Sequence, residues 1–172
     1  FKNPSIMRKY RYLNLSAFVI LFTLHSCEKV DVPFKGGHNA KNVSFQVKEI
    51  GTGASIHGAN GITIGADGNL YIACFWSREI LVMNKQNGKI VNRIGFDKGV
   101  TSPDDLVFGP DGSLYWTDIL LGEVVRRTPA GVTTRQFVAS GVNPITFSED
   151  GRLFVARDFT PGDGLYELDP NL

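Results

Sequence analysis

The stretch Asp67-Gly68-Asn69-Leu70-Tyr71 recurs as Asp111-Gly112-Ser113-Leu114-Tyr115 and again as Asp150-Gly151-Arg152-Leu153-Phe154. The spacings are 44 and 39 residues, a period typical of stacked supersecondary units. Asp-Gly favours a two-residue type I′ hairpin turn, whose central positions both need a residue at ease with positive φ. Each repeat is therefore expected to hold a strand on either side of that turn. The first strands read Ile62-Thr63-Ile64, Leu106-Val107-Phe108 and Ile145-Thr146-Phe147. The second strands run from Leu70 to Ala73, Leu114 to Thr117 and Leu153 to Ala156. Their β-branched and aromatic content suits strands, and no helical period interrupts them.

Working outward, a third strand is expected at Glu79–Asn84, Glu123–Arg127 and Gly164–Leu168, and a fourth at Lys89–Ile94 and Val132–Val138. Four antiparallel strands in a unit of about 40 residues is the signature of a propeller blade. The fold class expected is all-β, a β-propeller with about three blades present: 60–100, 104–142 and an incomplete 143–172. Val43–Ile50 reads as a lone fourth strand that would close the last blade of a ring. Propellers close with about four to eight blades, so the chain reads as the N-terminal part of a longer protein, one of six blades.

The rest of the sequence narrows the class. The chain has 172 residues, 42% of them apolar, with 18 basic and 17 acidic side chains. Four of the basic residues (Lys2, Arg8, Lys9, Arg11) fall in residues 1–26, which hold no acid. The remainder is mildly acidic and lacks the basic stripe of a nucleic-acid binder. Two Cys exclude a disulfide scaffold or a cysteine-built zinc site. No Gly-x-Ser-x-Gly, HExxH or CxxC motif occurs.

Met7-Arg8-Lys9-Tyr10-Arg11 forms a basic leader, followed by the apolar run Leu13–Leu24. That run has the length of a secretion-signal core and is too short to span a bilayer. Residues 1–26 are read as upstream residues plus a signal peptide starting at Met7. Leu24-His25-Ser26-Cys27 resembles a bacterial lipoprotein box, which implies lipidation of Cys27. An exported lipoprotein is expected, periplasmic or at the outer membrane, touching the membrane only through its anchor. Residues 27–42 read as a tether.

Seven residues before each Asp-Gly lie Asn60, Asp104 and Asn143, each expected directly before an inner strand. First strands of propeller blades line the central channel, so three oxygen-bearing side chains fall at one place in three blades. Such oxygens suit a hard cation such as calcium; equally, Asn and Asp are common at turns and strand starts. His57 and His38 read as loop and tether residues, Cys74 as a buried hydrophobe, and Arg126-Arg127 as a solvated pair on a third strand.

The units HGANGITIGADGNLYIA, SPDDLVFGPDGSLYWTD and GVNPITFSEDGRLFVARD resemble the senescence marker protein/gluconolactonase family of six-bladed propellers. They are similar, more distantly, to diisopropylfluorophosphatase-like and strictosidine-synthase-like propellers. The resemblance spans about 43–172. It implies one divalent cation in the channel, held by a first-blade Glu, middle-blade Asn residues and a later Asp. By position Asn60 stands where that Glu would be, Asp104 on an Asn, and Asn143 on the next Asn; only Asn143 keeps the residue type. The cation implied is calcium, with zinc or magnesium as alternatives. The chemistry implied is hydrolysis of a small sugar lactone or ester, the cation polarising the carbonyl and lowering the pKa of a bound water. Asp104 is then the first candidate for proton acceptor and Asp118 the second, although Asp118 also suits a turn anchor. Two other readings compete: a non-catalytic NHL-like propeller binding a glycan, peptide or partner protein, and a lyase resembling streptogramin lyase, which needs a channel His.

Overall fold

The computed structural model describes residues 47–51, 53–157 and 162–172. The signal segment, Cys27, the tether with His38, and the first part of the expected strand Val43–Ile50 lie outside them. Val47–Ile50 belongs to no strand.

Eleven strands follow among the described residues: β1 Ala59–Ile64, β2 Leu70–Cys74, β3 Glu79–Met83, β4 Ile90–Ile94, β5 Pro103–Phe108, β6 Leu114–Asp118, β7 Glu123–Arg127, β8 Thr133–Phe137, β9 Val142–Phe147, β10 Leu153–Arg157 and β11 Gly164–Leu168. They form two four-stranded antiparallel meanders, β1-β2-β3-β4 and β5-β6-β7-β8, and a three-stranded one, β9-β10-β11. The innermost strands are neighbours, β1 beside β5 and β5 beside β9. The architecture is that of a partial β-propeller.

Strand alternation explains how blades stack. Side chains at i and i+2 share a face, so β6 sends Leu114 and Trp116 toward blade 1 and Tyr115 toward blade 3. Ala73, Ile80, Val100, Leu106, Trp116 and Val125 form the core between blades 1 and 2. Tyr115, Val124, Ile145, Leu153 and Val155 form the core between blades 2 and 3. An aromatic contact repeats from seam to seam. Tyr71 meets Phe108 edge-on at 4.9 Å, and Tyr115 meets Phe147 at 5.0 Å. The middle strands are buried on both sides, β6 throughout, whereas the outer strands β4 and β8 are largely exposed.

The Asp-Gly turns differ from the expected two-residue form. Gly65 N–H donates to Asn69 C=O and Gly68 N–H to Gly65 C=O. Gly68 has φ +76° while Asp67 stays at negative φ. That is a three-residue loop ending in a left-handed glycine. The pattern repeats at Gly112 and Gly151. Asp67 is there for its side chain, which accepts the Asn69 N–H at 3.1 Å; Asp111 accepts the Ser113 N–H at 2.9 Å. The turn needs an acceptor and one glycine, not two residues with positive φ.

Candidate functional site

The three inner strands begin earlier than the apolar run suggests, because each carries the same β-bulge. In β1 Ala59 pairs with Cys74 and Ile62 with Ile72, so Asn60 and Gly61 stand opposite Ala73 alone. In β5 Asp104 and Asp105 stand opposite Thr117, and in β9 Asn143 and Pro144 stand opposite Ala156. Asn60, Asp104 and Asn143 therefore lie inside their strands rather than directly before them. A bulge leaves an extra residue outside the ladder and re-aims its side chain. It also accepts Pro144, which has no N–H to give.

The bulges stitch the blades together. Asn60 Nδ2 donates to Asp104 Oδ1 at 2.5 Å across the first seam. Gly61 lies so close to the next strand that a Cβ on it would sit 2.6 Å from Asp105 Cα and 2.8 Å from the Asp104 carbonyl oxygen. Across the second seam, Ile145 N–H donates to Asp105 Oδ2 at 3.0 Å. Asp105 N–H donates to Thr117 Oγ1 at 3.0 Å, and the Thr117 hydroxyl donates to Asn143 C=O at 2.8 Å. The structure thus brings Asn60 and Asp104 together by their side chains and ties Asn143 in through its backbone. Asp105 and Thr117 escaped the sequence reading. The sign was the doubled acid Asp104-Asp105, whose second member occupies the bulge position held by Gly61 and Pro144 in the other blades.

Asp104 is only 4% exposed, so its carboxylate sits where water is largely excluded and electrostatic interactions are strengthened. Asn60 is exposed and Asn143 half-buried. As oxygen donors, one carboxylate and two amides fit a hard cation in kind. Among the described residues no three His, Cys, Asp or Glu are grouped to hold a metal. A cation here would rest on Asp104 plus amide oxygens, with Asn60 and Asn143 as the side chains in register to supply them.

Asp118 lies elsewhere in kind. It ends β6 with 0% exposure and accepts hydrogen bonds from the Ser102 hydroxyl, from Ser102 N–H at 3.2 Å and from Leu121 N–H at 3.4 Å. Those contacts bind the blade 1–blade 2 crossover to the β6–β7 turn. His57 is exposed beyond a single 3₁₀ turn, its carbonyl accepting from the Ser77 hydroxyl at 3.5 Å. Cys74 is fully buried among Ile72, Leu81 and Met83, and burial raises its thiol pKa. Arg126, expected to be solvated, instead pairs with Asp111 at 2.8 Å and lies over the Tyr115 ring. The Asp111 and Tyr115 side chains reach it because the hairpin register places Tyr115 opposite Arg126.

No family model matches the chain, and no curated protein does. Solved structures are similar. Hydrazine synthase of Kuenenia stuttgartiensis superposes with TM-score 0.58 at 17% identity over 74% of this chain and 37% of its own. A catalytically inactive variant of virginiamycin B lyase from Staphylococcus aureus, solved with quinupristin, gives 0.50 at 23% identity over 64% of this chain and 40% of its own. A provisionally assigned gluconolactonase gives 0.51 at 19% identity over 65% of this chain and 49% of its own. The chain spans less than half the length of each of these. At such identities the likeness is one of fold: the chain is part of a β-propeller.

Proposed function

We propose that this chain belongs to a metal-dependent hydrolase of a small lactone or ester, gluconolactonase-like, with Asn60, Asp104 and Asn143 facing a divalent cation, calcium first, at the propeller channel. The observation that carries the reading is the bulge repeated in three adjacent inner strands, each presenting an oxygen-bearing side chain at the same register position. A gluconolactonase-type propeller among the similar structures supports it at the level of fold.

A bound cation supplies a Lewis acid for the substrate carbonyl. Asp104 is the buried carboxylate of the three bulges that faces blade 1, so both the ligand role and the proton-accepting role are assigned to it. Asn60 orients it through the Nδ2–Oδ1 hydrogen bond. Asp105 and Thr117 hold the neighbouring strands in register. Asp118 takes no part, being committed to Ser102 and Leu121. The leader and Cys27 support export and a lipid anchor, and the mildly acidic body offers no basic stripe to nucleic acid.

One observation favours a second reading, a non-catalytic propeller that binds a glycan, peptide or protein. The Asn60 amide already satisfies one Asp104 oxygen, an arrangement that a purely structural seam also needs. A lyase reading would call on His57, the His nearest in sequence to the bulge of blade 1, which is exposed. The test is turnover of small lactones with and without calcium. Calcium-dependent activity that falls about a hundredfold or more in Asp104→Ala would support the hydrolase. Absence of turnover with calcium, zinc and magnesium alike would leave the binding reading.

A further inference from the structure

We propose that a cleft on the outer part of the blade 1–blade 2 boundary binds a small molecule through a phosphate ester group. The cleft has a volume of about 450 Å³ and lies between the crossover turn Phe96–Lys98 and the β7–β8 hairpin, with Lys98, Arg127, Thr133, Arg135 and Asp97 in its lining. It is lined from the β4–β5 crossover and from β7, β8 and the turn between them, away from the bulged inner strands.

Three cations line the cleft against one acid, Asp97. Two of the cations have carboxylate partners: Lys98 with Asp97 at 2.8 Å, and Arg135 with Glu123 at 3.1 Å. Arg127 makes no ion pair among the described residues. Its Nη1 donates to Gly131 C=O at 2.7 Å and to Thr133 Oγ1 at 2.9 Å, which fixes the guanidinium plane. A planar fork held in place with no carboxylate partner among the described residues is the geometry that takes two oxygens of a phosphate.

The polar groups of the wall are used asymmetrically. The backbone acceptors are taken: Gly99 C=O by Arg135 at 3.1 Å, Lys98 C=O by Thr133 at 3.3 Å, and Gly131 C=O by Arg127. What remains for a ligand is positive charge and N–H donors. Two left-handed glycines let the guanidinium groups lie close against the backbone. A Cβ on Gly99 would lie 3.0 Å from Arg135 Nη2, and one on Gly131 would lie 3.0 Å from Arg127 Nη2. The charge is felt across the opening, since Asp97 is held below the ordinary carboxylate range first by Lys98 and also by Arg127. The volume exceeds what a bare oxyanion fills and falls within the size range of small-molecule sites, which is why an ester rather than free phosphate is assigned.

The test is calorimetric titration of the full chain with glucose 6-phosphate, inorganic phosphate and glucose at near-physiological salt. Glucose 6-phosphate is expected to bind, inorganic phosphate to bind more weakly, and glucose not at all. Arg127→Gln should weaken glucose 6-phosphate binding about tenfold or more. Asp97→Asn should tighten it severalfold, because it removes the acid without touching a donor. Lys98→Ala serves as a second weakening variant, because among the described residues the Lys98 side chain pairs with Asp97 alone, so a folding failure in Arg127→Gln leaves the proposal testable. Unchanged affinity in both weakening variants, equal affinity for phosphate and its sugar ester, or equal binding of glucose would each overturn it.

Discussion

A carboxylate at the end of a strand can be a catalyst or an anchor, and its donors decide which. Asp118 receives the Ser102 hydroxyl, the Ser102 N–H and the Leu121 N–H with no exposure to water. Asp118→Ala strands those donors in a dry site, and loss of hydrogen bonds to a buried charge costs about 2–4 kcal/mol. Urea unfolding of the variant should show that loss in full, while any activity per folded molecule stays near the parent value. A stability change below about 0.5 kcal/mol, the level of a surface substitution, would contradict the anchor role. Asp104 is the opposite case, buried beside an exposed amide on a seam between blades. Its removal is expected to be read in calcium affinity and turnover.

Between elements, the seams rest on close approach and on hairpin ion pairs. Gly61→Ala puts a methyl 2.6 Å from Asp105 Cα, and backbone cannot step aside as a flexible side chain can. The seam must widen, at a cost of about 1–3 kcal/mol for overpacking. The Asn60–Asp104 hydrogen bond is lengthened in the same variant, so calcium affinity should fall along with stability. A Gly61→Ala protein as stable as the parent, with unchanged affinity, would mean the seam is loose in solution. The Asp111–Arg126 pair gives a pH signature. Asp111 is lowered from 3.8 to about 2, chiefly by the Arg126 hydrogen bond, with burial opposing and Ser113 contributing. A carboxylate lowered on folding stabilises above its unfolded pKa, and that contribution is lost as pH falls through the folded value. The loss therefore belongs between about pH 4 and 2, and Asp111→Asn should make the acid limb of the stability curve shallower there. An acid limb identical to the parent's would remove the pair from the stability of the hairpin.

The same elements show what a reader of the sequence can and cannot see. The strands were legible because alternating β-branched and aromatic residues on both sides of Asp-Gly admit few other structures. The eleven blade strands all appear, most of them within a residue or two of expectation, whereas the described part of the strand expected at Val43–Ile50, Val47–Ile50, is in no strand. The inner strands run three residues longer than their apolar pattern suggests, because a bulge admits polar residues and proline, so Asn60-Gly61, Asp104-Asp105 and Asn143-Pro144 look like loop. The register of the candidate positions survived that error, since it was counted from the turn. The turn class did not, since Asp-Gly fits two loop geometries and only the backbone φ of Asp67 separates them. Asp105 and the Arg126–Asp111 pair depend on which side chains meet across strands, and spacing along one chain carries no such information.

At the scale of the molecule, the seams define two faces that no described residue covers completely. On the side of blade 1 away from blade 2, Ile62 and Ile64 are 59% and 56% exposed. They sit opposite Ile72 and Leu70, beside a groove of about 250 Å³ that Ile56 and Met83 also line. On the far side of blade 3, Leu165 is 74% exposed and pairs in register with Ala156, next to Phe154. The repeat makes these faces complementary. Phe154 holds the position from which Tyr71 and Tyr115 reach the next blade, and Ile64 holds the position of Phe108 and Phe147 that receives them. Blade 3 of one copy therefore presents to blade 1 of another the same kind of surface that joins blades within a copy. Contiguous apolar faces of this sort drive association, so the 172-residue chain is expected to self-associate in sedimentation velocity at micromolar concentration. Charging the receiving face with Ile62→Lys and Ile64→Lys should shift it toward monomer without loss of strand signal in circular dichroism, because both side chains are already half in water. A parent chain that sediments as a monomer and melts cooperatively would show that these faces are satisfied by something other than a neighbouring blade.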